Sequence, residues 1–297
     1  MPISLPPFSR RRFLAASLAA GVSLVFPRRA PAVATDPHRI AFFSDLHLAA
    51  DRKYVHKTGT IPWENIQQAT RETLALSPAP SAVLINGDCS LSKGLAEEYA
   101  CVIDALRPLR QAGLPIHITL GNHDERQNFW KFVAPQRPQI DMPRHLGIFE
   151  TPRANVFLLD SLDVTDKTPG TLGKDQLEWL RRQLDARADK PALVMAHHDV
   201  DLKPKGTGLT DSKALLDILL PRKHVKVYIF GHTHNWRHAQ MDGFHLLNLP
   251  TTAYIFDKTS PIGWVDAQLR RDGASFKLCA LDTKHPQHGR AFDLKWR

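Results

Sequence analysis

The chain has 297 residues, enough for one large domain or two of ordinary size. Its 43% apolar and 23% charged residues are close to the averages of globular proteins, which excludes wholesale disorder and a collagen-like repeat. Three cysteines in a chain of this length exclude a disulfide framework, and the net charge of +9 raises the question of a nucleic-acid or acidic partner.

The first 34 residues have the three parts of an export signal. Arginines occupy positions 10–12, an apolar run covers residues 14–26, and small residues at A-x-A spacing follow. Signal peptides combine these parts in this order. The run is shorter than the roughly 20 apolar residues that a membrane-spanning helix needs. We therefore expect a cleavable signal peptide and no stable membrane span after its removal.

The string Ser-Arg-Arg-Arg-Phe-Leu at residues 9–14 resembles the twin-arginine export signal of bacteria. The resemblance implies that the twin-arginine export machinery is a partner and that the protein is periplasmic or otherwise extracytoplasmic. Cleavage after either Ala32 or Ala34 fits the sequence. We assign residues 1–34 to the signal and residues 35–297 to the mature protein.

The signal accounts for most of the excess positive charge. It contains five arginines and no acidic residue, so the mature chain keeps 34 of the 39 basic residues against all 30 acidic ones. This balance is ordinary for a protein of this size. A nucleic-acid partner is not expected, because no basic helix or basic stripe with interleaved aromatic residues remains. The sequence does not indicate an oligomeric state.

Short apolar runs alternate with segments of helical period along the mature chain. Buried strands are predicted at residues 40–44, 82–86, 116–120, 156–160, 192–196 and 225–230. Helices are predicted at residues 63–76, 96–111, 174–188 and 212–219. Strands that alternate with helices indicate an α/β fold with covered sheets.

The pattern changes after Gly231. Asp-Gly pairs at residues 242–243 and 272–273 are hairpin signals beside runs that read as antiparallel strands, at residues 244–249 and 262–269. We therefore predict one α/β domain built as a four-layer α-β-β-α sandwich, in which two mixed sheets are flanked by helices.

Polar residues directly follow five of the predicted strands. The clusters are Asp45-Leu46-His47, Gly87-Asp88, Gly121-Asn122-His123-Asp124, His197-His198 and Gly231-His232-Thr233-His234. Binding sites of open α/β sheets form outside the carboxyl ends of strands, so these clusters can converge. Each cluster alone is typical of a turn or loop. Together they indicate a site, since buried His and Asp side chains need metal or charge partners.

The donor types of these clusters indicate transition metals. A ligand set of two aspartates, one asparagine and four histidines drawn from them suits Fe, Mn, Zn or Co, and does not suit Ca²⁺ or Mg²⁺. No cysteine belongs to the set, which disfavours a structural zinc site. Seven protein ligands are too many for one open catalytic ion and suit two ions that share a bridging carboxylate.

The ordered motifs Asp-x-His, Gly-Asp, Gly-Asn-His-Asp, His and Gly-His-x-His resemble the calcineurin-like metallophosphoesterase family. Further strings resemble its branch of bacterial cyclic-nucleotide and glycerophosphodiester phosphodiesterases; they are Glu97-Glu98-Tyr99, Leu159-Asp160-Ser161 and Gln176-Leu177-Glu178-Trp179-Leu180. The resemblance covers about residues 40–281 and implies a dinuclear metal site at the carboxyl ends of the strands.

The resemblance also implies a role for each candidate residue. One metal ion would be held by Asp45, His47 and His234, the other by Asn122, His197 and His232, with Asp88 bridging the two. His123 would assist the leaving group without binding metal. Asp124 would orient His123, because a carboxylate fixes the tautomer and position of an imidazole.

The sequence departs from the family pattern at two positions. Leu91 stands where purple acid phosphatases have a tyrosine, which disfavours an iron–tyrosinate site. Asp199 follows the pair His197-His198, where the phosphodiesterase branch usually has proline. This second departure leaves the metal ligand intact and affects the shape of the substrate loop.

The expected function is that of an exported dinuclear metallophosphoesterase. It would hydrolyse a small-molecule phosphodiester of the cyclic-nucleotide or glycerophosphodiester type by attack of a metal-bridging hydroxide, since two cations acidify water and clamp both oxygens of an in-line displacement. One alternative is a broad-specificity phosphomonoesterase or nucleotidase for phosphate scavenging. The other is a non-catalytic metal-binding module on the same fold.

Several neighbouring residues have no settled role in the sequence. For His198, a place in the substrate pocket and a structural role both stay open. Arg126 and the loop of residues 51–60 are interpreted as solvated surface, with contact to substrate as the alternative. Cys89 is interpreted as a small buried neighbour of Asp88.

Overall fold

The computed structural model describes residues 33–135, 142–201 and 206–297. The predicted signal peptide lies outside the described residues, apart from its last two positions, and stays a prediction. Within the described ranges the helices are α1 (Pro62–Leu74), α2 (Ala96–Gln111), α3 (Arg126–Phe132), α4 (Lys174–Asp185) and α5 (Ser212–Leu219). No helix among these residues is long and apolar enough to cross a membrane.

The strands form two six-stranded sheets. In chain order they are β1 (Thr35–Ser44), β2 (Ala79–Asn86), β3 (Ile116–Thr119), β4 (Gly147–Glu150), β5 (Asn155–Leu158), β6 (Ala192–Met195), β7 (Val225–Phe230), β8 (Arg237–Met241), β9 (Phe244–Asn248), β10 (Gly263–Leu269), β11 (Gly273–Ala280) and β12 (Ala291–Lys295). The strand order is β12-β11-β10-β1-β2-β3 in the first sheet and β4-β5-β6-β7-β9-β8 in the second.

Each sheet has a parallel part and antiparallel margins. Strands β1, β2 and β3 run parallel, as do β5, β6, β7 and β9. The remaining strands pair antiparallel at the margins, and the two hairpins predicted at the Asp-Gly pairs are β8–β9 and β10–β11. The sheets are therefore mixed, as predicted.

Side-chain alternation along β1 shows why the layers form. Ile40 and Phe42 face a core between the two sheets, whereas Ala41 and Phe43 face a second core under α1 and α2. A third core lies between the second sheet and the helices α4 and α5. Because successive strand residues point to opposite faces, apolar runs without alternation become strands buried on both sides. Two mixed sheets flanked by helices confirm the predicted fold class.

Three elements were not predicted from the sequence: α3, β4 and β12. Helix α3 has only seven residues, and its start is set by Glu125, whose carboxylate accepts hydrogen bonds from the backbone of Gln127 and Asn128 at 3.1 and 2.7 Å. The edge strands β4 and β12 have four and five residues that are mostly half-buried or exposed. Short, weakly patterned segments of this kind carry little periodic signal.

Candidate metal centre

The polar clusters meet where the two sheets end. They follow β1, β2 and β3 of the first sheet and β6 and β7 of the second. Two hydrogen bonds join the sheets at this point: Asn86 Nδ2 donates to the carbonyl of Ala196, and His197 Nδ1 donates to the carbonyl of Asn86, both at 2.9 Å. The carboxyl ends of five parallel strands therefore share one edge, as expected for a site in an α/β sandwich.

One group of candidate ligands consists of Asp45, His47 and His234. The Nε2 atoms of the two histidines lie 3.1 Å apart, and His234 Nε2 lies 3.3 Å from Asp45 Oδ1. The Nδ1 atoms face outward, His47 toward the carbonyl of Leu91 at 3.2 Å and His234 toward that of Tyr254 at 2.6 Å. Backbone carbonyls thus hold the Nδ1 protons, so that both Nε2 lone pairs point inward as metal ligation requires.

Asp88 lies between this group and a second one. Its Oδ2 atom is 3.7 Å from His47 Nε2 and 3.1 Å from His197 Nε2. Asp88, His197 and His232 offer ligand atoms within 4.8 Å of one another, as do Asp45, His47 and His234. One carboxylate oxygen therefore faces both groups, which is the position of a bridging ligand.

Asn122 contributes an amide oxygen on the same side. Its Oδ1 atom is buried and has no hydrogen-bond partner among the described residues. Its neighbour His123 donates a backbone hydrogen bond to Asp88 Oδ1 at 2.8 Å, so the loop after β3 lies against the bridging position. A buried amide oxygen without a partner is unfavourable unless a cation or donor accompanies it.

Burial and mutual charge shift the titration of these groups. Burial lowers the pKa of His47 to about 3, and burial together with neighbouring His197 lowers the pKa of His232 to about 4. Burial opposes protonation of His197, but Asp88 raises the pKa of His197 to about 10. Burial opposes ionisation of Asp88, yet His197 holds the pKa of Asp88 well below its usual value. The ionised form of these buried carboxylates is therefore stable only with positive charge nearby.

No lysine or arginine among the described residues forms an ion pair with Asp45 or Asp88. Buried carboxylates are stable only with charge partners or metal ions. Four imidazoles, an unpartnered amide oxygen and two carboxylates form a nitrogen and oxygen donor set that fits divalent transition metals. The residues present therefore fit a two-cation site.

The backbone of this site is strained. Seven non-glycine residues of the described chain have positive φ, and five of them are candidate ligands: Asp45 (52°), His47 (41°), Asp88 (47°), His232 (63°) and His234 (53°). Each such conformation costs about 1–3 kcal/mol and concentrates at functional sites, where the surrounding fold enforces it. The packed strands therefore hold the candidate ligands together at the cost of an unfavourable backbone conformation at five of them.

Two motif glycines allow the close approach of these loops. A Cβ at Gly121 would lie 2.6 Å from the backbone nitrogen of Asp88 and nearer still to its Oδ1 atom. A Cβ at Gly231 would lie 2.6 Å from Asp45 Oδ2. Glycine is required at both positions because the side chain of any other residue would overlap a candidate ligand.

His123 lies at the edge of the two groups with its ring toward the cavity. Its Nδ1 atom is 3.1 Å from the carbonyl of Ser92 and 3.4 Å from Asp166 Oδ1. The expectation that Asp124 orients His123 is corrected by this geometry. Asp166, which sequence reasoning missed, provides the nearby carboxylate.

Asp124 instead organises the loops that carry the donors. It is buried, and it accepts hydrogen bonds from the backbone of Gly121 at 3.0 Å and Cys89 at 3.2 Å and from the hydroxyl of Tyr99 at 3.1 Å. Burial and the charge of Asp88 raise the pKa of Asp124 to about 6. Backbone amides and the Tyr99 hydroxyl therefore occupy its carboxylate oxygens.

A cavity of about 310 Å³ opens onto the donors. Its walls consist of donor residues, three threonines and two aromatic side chains: His47, Asp88, His123, His232, His234, Thr168, Thr207, Thr233, Tyr254 and Phe256. The cavity is large enough for a small phosphoester beside the candidate ligands.

Comparison with known proteins identifies the family. The calcineurin-like phosphoesterase family model matches residues 38–236, about two thirds of the chain. The chain belongs to the calcineurin-like phosphoesterase family. It is therefore a hydrolase of phosphoric esters, in a family that uses a dinuclear divalent metal site.

Several relatives of this phosphoesterase are bacterial. The 3',5'-cyclic adenosine monophosphate phosphodiesterase CpdA of Haemophilus influenzae is 25% identical over 78% of this chain and 85% of its own. The glycerophosphodiester phosphodiesterase GpdQ of Enterobacter lignolyticus is 30% identical over 63% of this chain and 69% of its own. A dimetal phosphatase from Danio rerio has the same fold, with a TM-score of 0.70 at 15% identity over 88% of this chain and all of its own.

The structure shows the contacts of two residues whose roles the sequence left open. His198 is buried in this phosphoesterase, with Nδ1 2.8 Å from Ser161 Oγ and its carbonyl bonded to the Tyr228 hydroxyl at 2.7 Å, which favours the structural role. Arg126 is not a solvated neighbour. Its guanidinium pairs with the buried carboxylate of Asp160 at 2.7 Å.

The loop of residues 51–60 is mostly exposed, as expected, apart from its buried residue His56. His56 stacks on Tyr254 with ring centroids 3.7 Å apart and an interplanar angle of 11°, so this loop braces a wall of the cavity. Cys89 is buried, and burial raises the pKa of its thiol well above the usual value, in keeping with the packing role expected. The contacts of Asp160 and Tyr254 join distant parts of the chain and leave no signal in local sequence.

Proposed function

We propose that this phosphoesterase is an exported phosphodiesterase with two divalent cations. Asp45, His47 and His234 would hold one cation, and Asn122, His197 and His232 the other, with Asp88 bridging. The observation that carries the proposal is the position of Asp88 Oδ2 between the two donor groups, in the same cavity as the His123 imidazole. When bound, the cations would supply positive charge for the phosphoryl oxygens and acidify a water molecule.

The protein itself supplies the proton for the leaving group in this proposal. The Nδ1 atom of His123 donates to the carbonyl of Ser92, with the Asp166 carboxylate 3.4 Å away, so the opposite nitrogen, Nε2, faces away from both. Protonated His123 donates its Nε2 proton to the departing alkoxide. An alkoxide is a poor leaving group, and general-acid catalysis of this kind contributes about 10²–10⁴-fold.

The preference for a diester is supported by the relatives. The CpdA and GpdQ proteins are named for the hydrolysis of cyclic AMP and of glycerophosphodiesters, and both are phosphodiesters. Both align with more than three fifths of this chain. We therefore place the substrate of this enzyme in the diester class rather than among monoesters.

The test loads the enzyme with Mn²⁺, Zn²⁺ or Co²⁺. It then measures the turnover of bis-(p-nitrophenyl) phosphate, p-nitrophenyl phosphate and 3',5'-cyclic AMP. The proposal predicts a higher kcat/KM for the diesters than for the monoester, and loss of all turnover after chelation. Strong monoester turnover without diester turnover would contradict it in favour of a phosphomonoesterase. Metal binding without any turnover would instead favour a non-catalytic module.

Export is proposed from the sequence of residues 1–34. The arginine pair would direct the folded enzyme to the twin-arginine machinery and to the periplasm. Replacing Arg10 and Arg11 by lysine in the full chain should shift the protein from the periplasmic to the cytoplasmic fraction. Equal periplasmic amounts of the variant and the original protein would contradict the assignment.

A further inference from the structure

Two aromatic side chains beside the donors have no part in the phosphoryl chemistry described above. Tyr254 and Phe256, here called the aromatic shelf, lie in the connection between β9 and β10 and line the cavity. The Phe256 ring lies 4.3 Å from the His234 ring at an interplanar angle of 20°. The Tyr254 ring lies 4.8 Å from that of His47. The aromatic shelf therefore lies directly beside the candidate ligands His47 and His234.

Phe256 is unusually exposed for its size. Its relative exposure is 68%, the largest among the exposed large apolar residues of the described chain. Scattered exposed apolar side chains are normal in soluble proteins, so exposure alone says little. Here the parallel stacking of Phe256 on His234 covers part of one ring face, while the side chain contributes to the cavity wall. An aromatic surface is thus presented next to the donors.

The shelf is held in place by the same backbone that carries the candidate ligands. The backbone nitrogen of Ala253 donates to the carbonyl of Asp45 at 3.2 Å, and the carbonyl of Tyr254 accepts from His234 Nδ1 at 2.6 Å. His56 stacks on the Tyr254 ring from the 51–60 loop. A surface ordered before binding loses less conformational entropy when a ligand arrives.

We propose that the aromatic shelf binds the base of a nucleotide whose phosphodiester lies at the candidate metal centre. This inference rests on the proposed function and narrows the substrate class to nucleotides. Every purine and pyrimidine base has a π-face that can stack on an aromatic side chain. A glycerol group has no such face and gains nothing from the ring of Phe256. The shelf is therefore a specificity device, separate from the groups that act on phosphorus.

The test compares Phe256→Leu with the original enzyme, both loaded with Mn²⁺. Leucine keeps apolar bulk over His234 and removes the aromatic face. We expect the ratio of kcat/KM for 3',5'-cyclic AMP to that for glycerophosphoethanolamine to fall about tenfold, from the stacking contribution typical of base–aromatic contacts. Phe256→Trp should restore the ratio. Leu95→Ala, which removes an exposed apolar side chain away from the cavity walls, is the matched control.

A binding measurement keeps this inference separate from the proposed function. Calorimetric titration with adenosine 5'-monophosphate and glycerol 3-phosphate should show that Phe256→Leu weakens the first and spares the second, at unchanged metal content. An unchanged preference for the nucleotide would overturn the role of the shelf, even if diester turnover is normal. Absent diester turnover would overturn the proposed function, while the two affinities would still decide the shelf.

Discussion

The contact between the loops after β2 and β3 makes Gly121→Ala a sensitive perturbation. A Cβ at residue 121 would lie 2.6 Å from the backbone nitrogen of Asp88, whereas an ordinary van der Waals contact begins at 3.4 Å. The Asp88 loop would have to retreat by about 0.8 Å, the difference between these two distances. Because Asp88 Oδ2 faces both donor groups, this movement would disturb both candidate cation positions.

The expected size of the effect follows from that displacement. Overpacking of this kind costs about 1–3 kcal/mol in the free energy of unfolding. Misplacing a group at the reaction centre by about 1 Å costs about 10²-fold in rate. We therefore expect Gly121→Ala to lower kcat/KM for bis-(p-nitrophenyl) phosphate by about 10²-fold, together with a reduced content of bound metal.

Gly147→Ala is the matched control. Its new Cβ would lie 3.7 Å from Leu158 Cδ1, an ordinary contact, and it lies in β4 away from the donors. Metal content by plasma emission spectrometry, the thermal midpoint and kcat/KM should stay near those of the original enzyme for this variant. Full metal content and full activity in Gly121→Ala would refute the argument that this glycine positions Asp88.

Three further substitutions test individual roles. Asp88→Asn should deplete one or both cations, because it removes the shared negative charge, and a fully loaded variant would disprove bridging. His123→Ala should keep its metal content but lose about 10²–10⁴-fold in turnover of substrates with alkoxide leaving groups, and far less with p-nitrophenolate; equal losses would count against the general-acid role. Asp166→Asn should lower kcat for alkoxide substrates with little change in KM, whereas a rise in KM alone would show that Asp166 does not act through His123.

Much of the fold could be predicted because its strands are buried on both faces. The predicted bounds of α2, α5 and β7 agree with the structure, since each apolar pattern ends at polar or turn-forming residues. Helix α4 was predicted to reach residue 188 but ends at Asp185, because no residue from 185 to 190 is buried against the core. Boundaries of this kind depend on tertiary packing more than on composition.

For the candidate site, residue type and position at strand ends were enough to predict a metal centre. Imidazoles and carboxylates are common metal ligands, so their positions directly after buried strands indicate a metal site without knowledge of the fold. The partner of His123 was wrongly predicted because Asp124 is adjacent in sequence, while its oxygens are taken by the backbone amides of Gly121 and Cys89. Only the folded loop brings Asp166 to the imidazole.

The central claim is that seven side chains of this chain hold two cations that share Asp88. Anomalous diffraction from crystals of the Mn²⁺- or Zn²⁺-loaded enzyme tests it most directly. Two anomalous peaks are expected, one beside Asp45 and His234, the other beside Asn122 and His197, with the Asp88 carboxylate between them. A single peak, or peaks away from these residues, would contradict it.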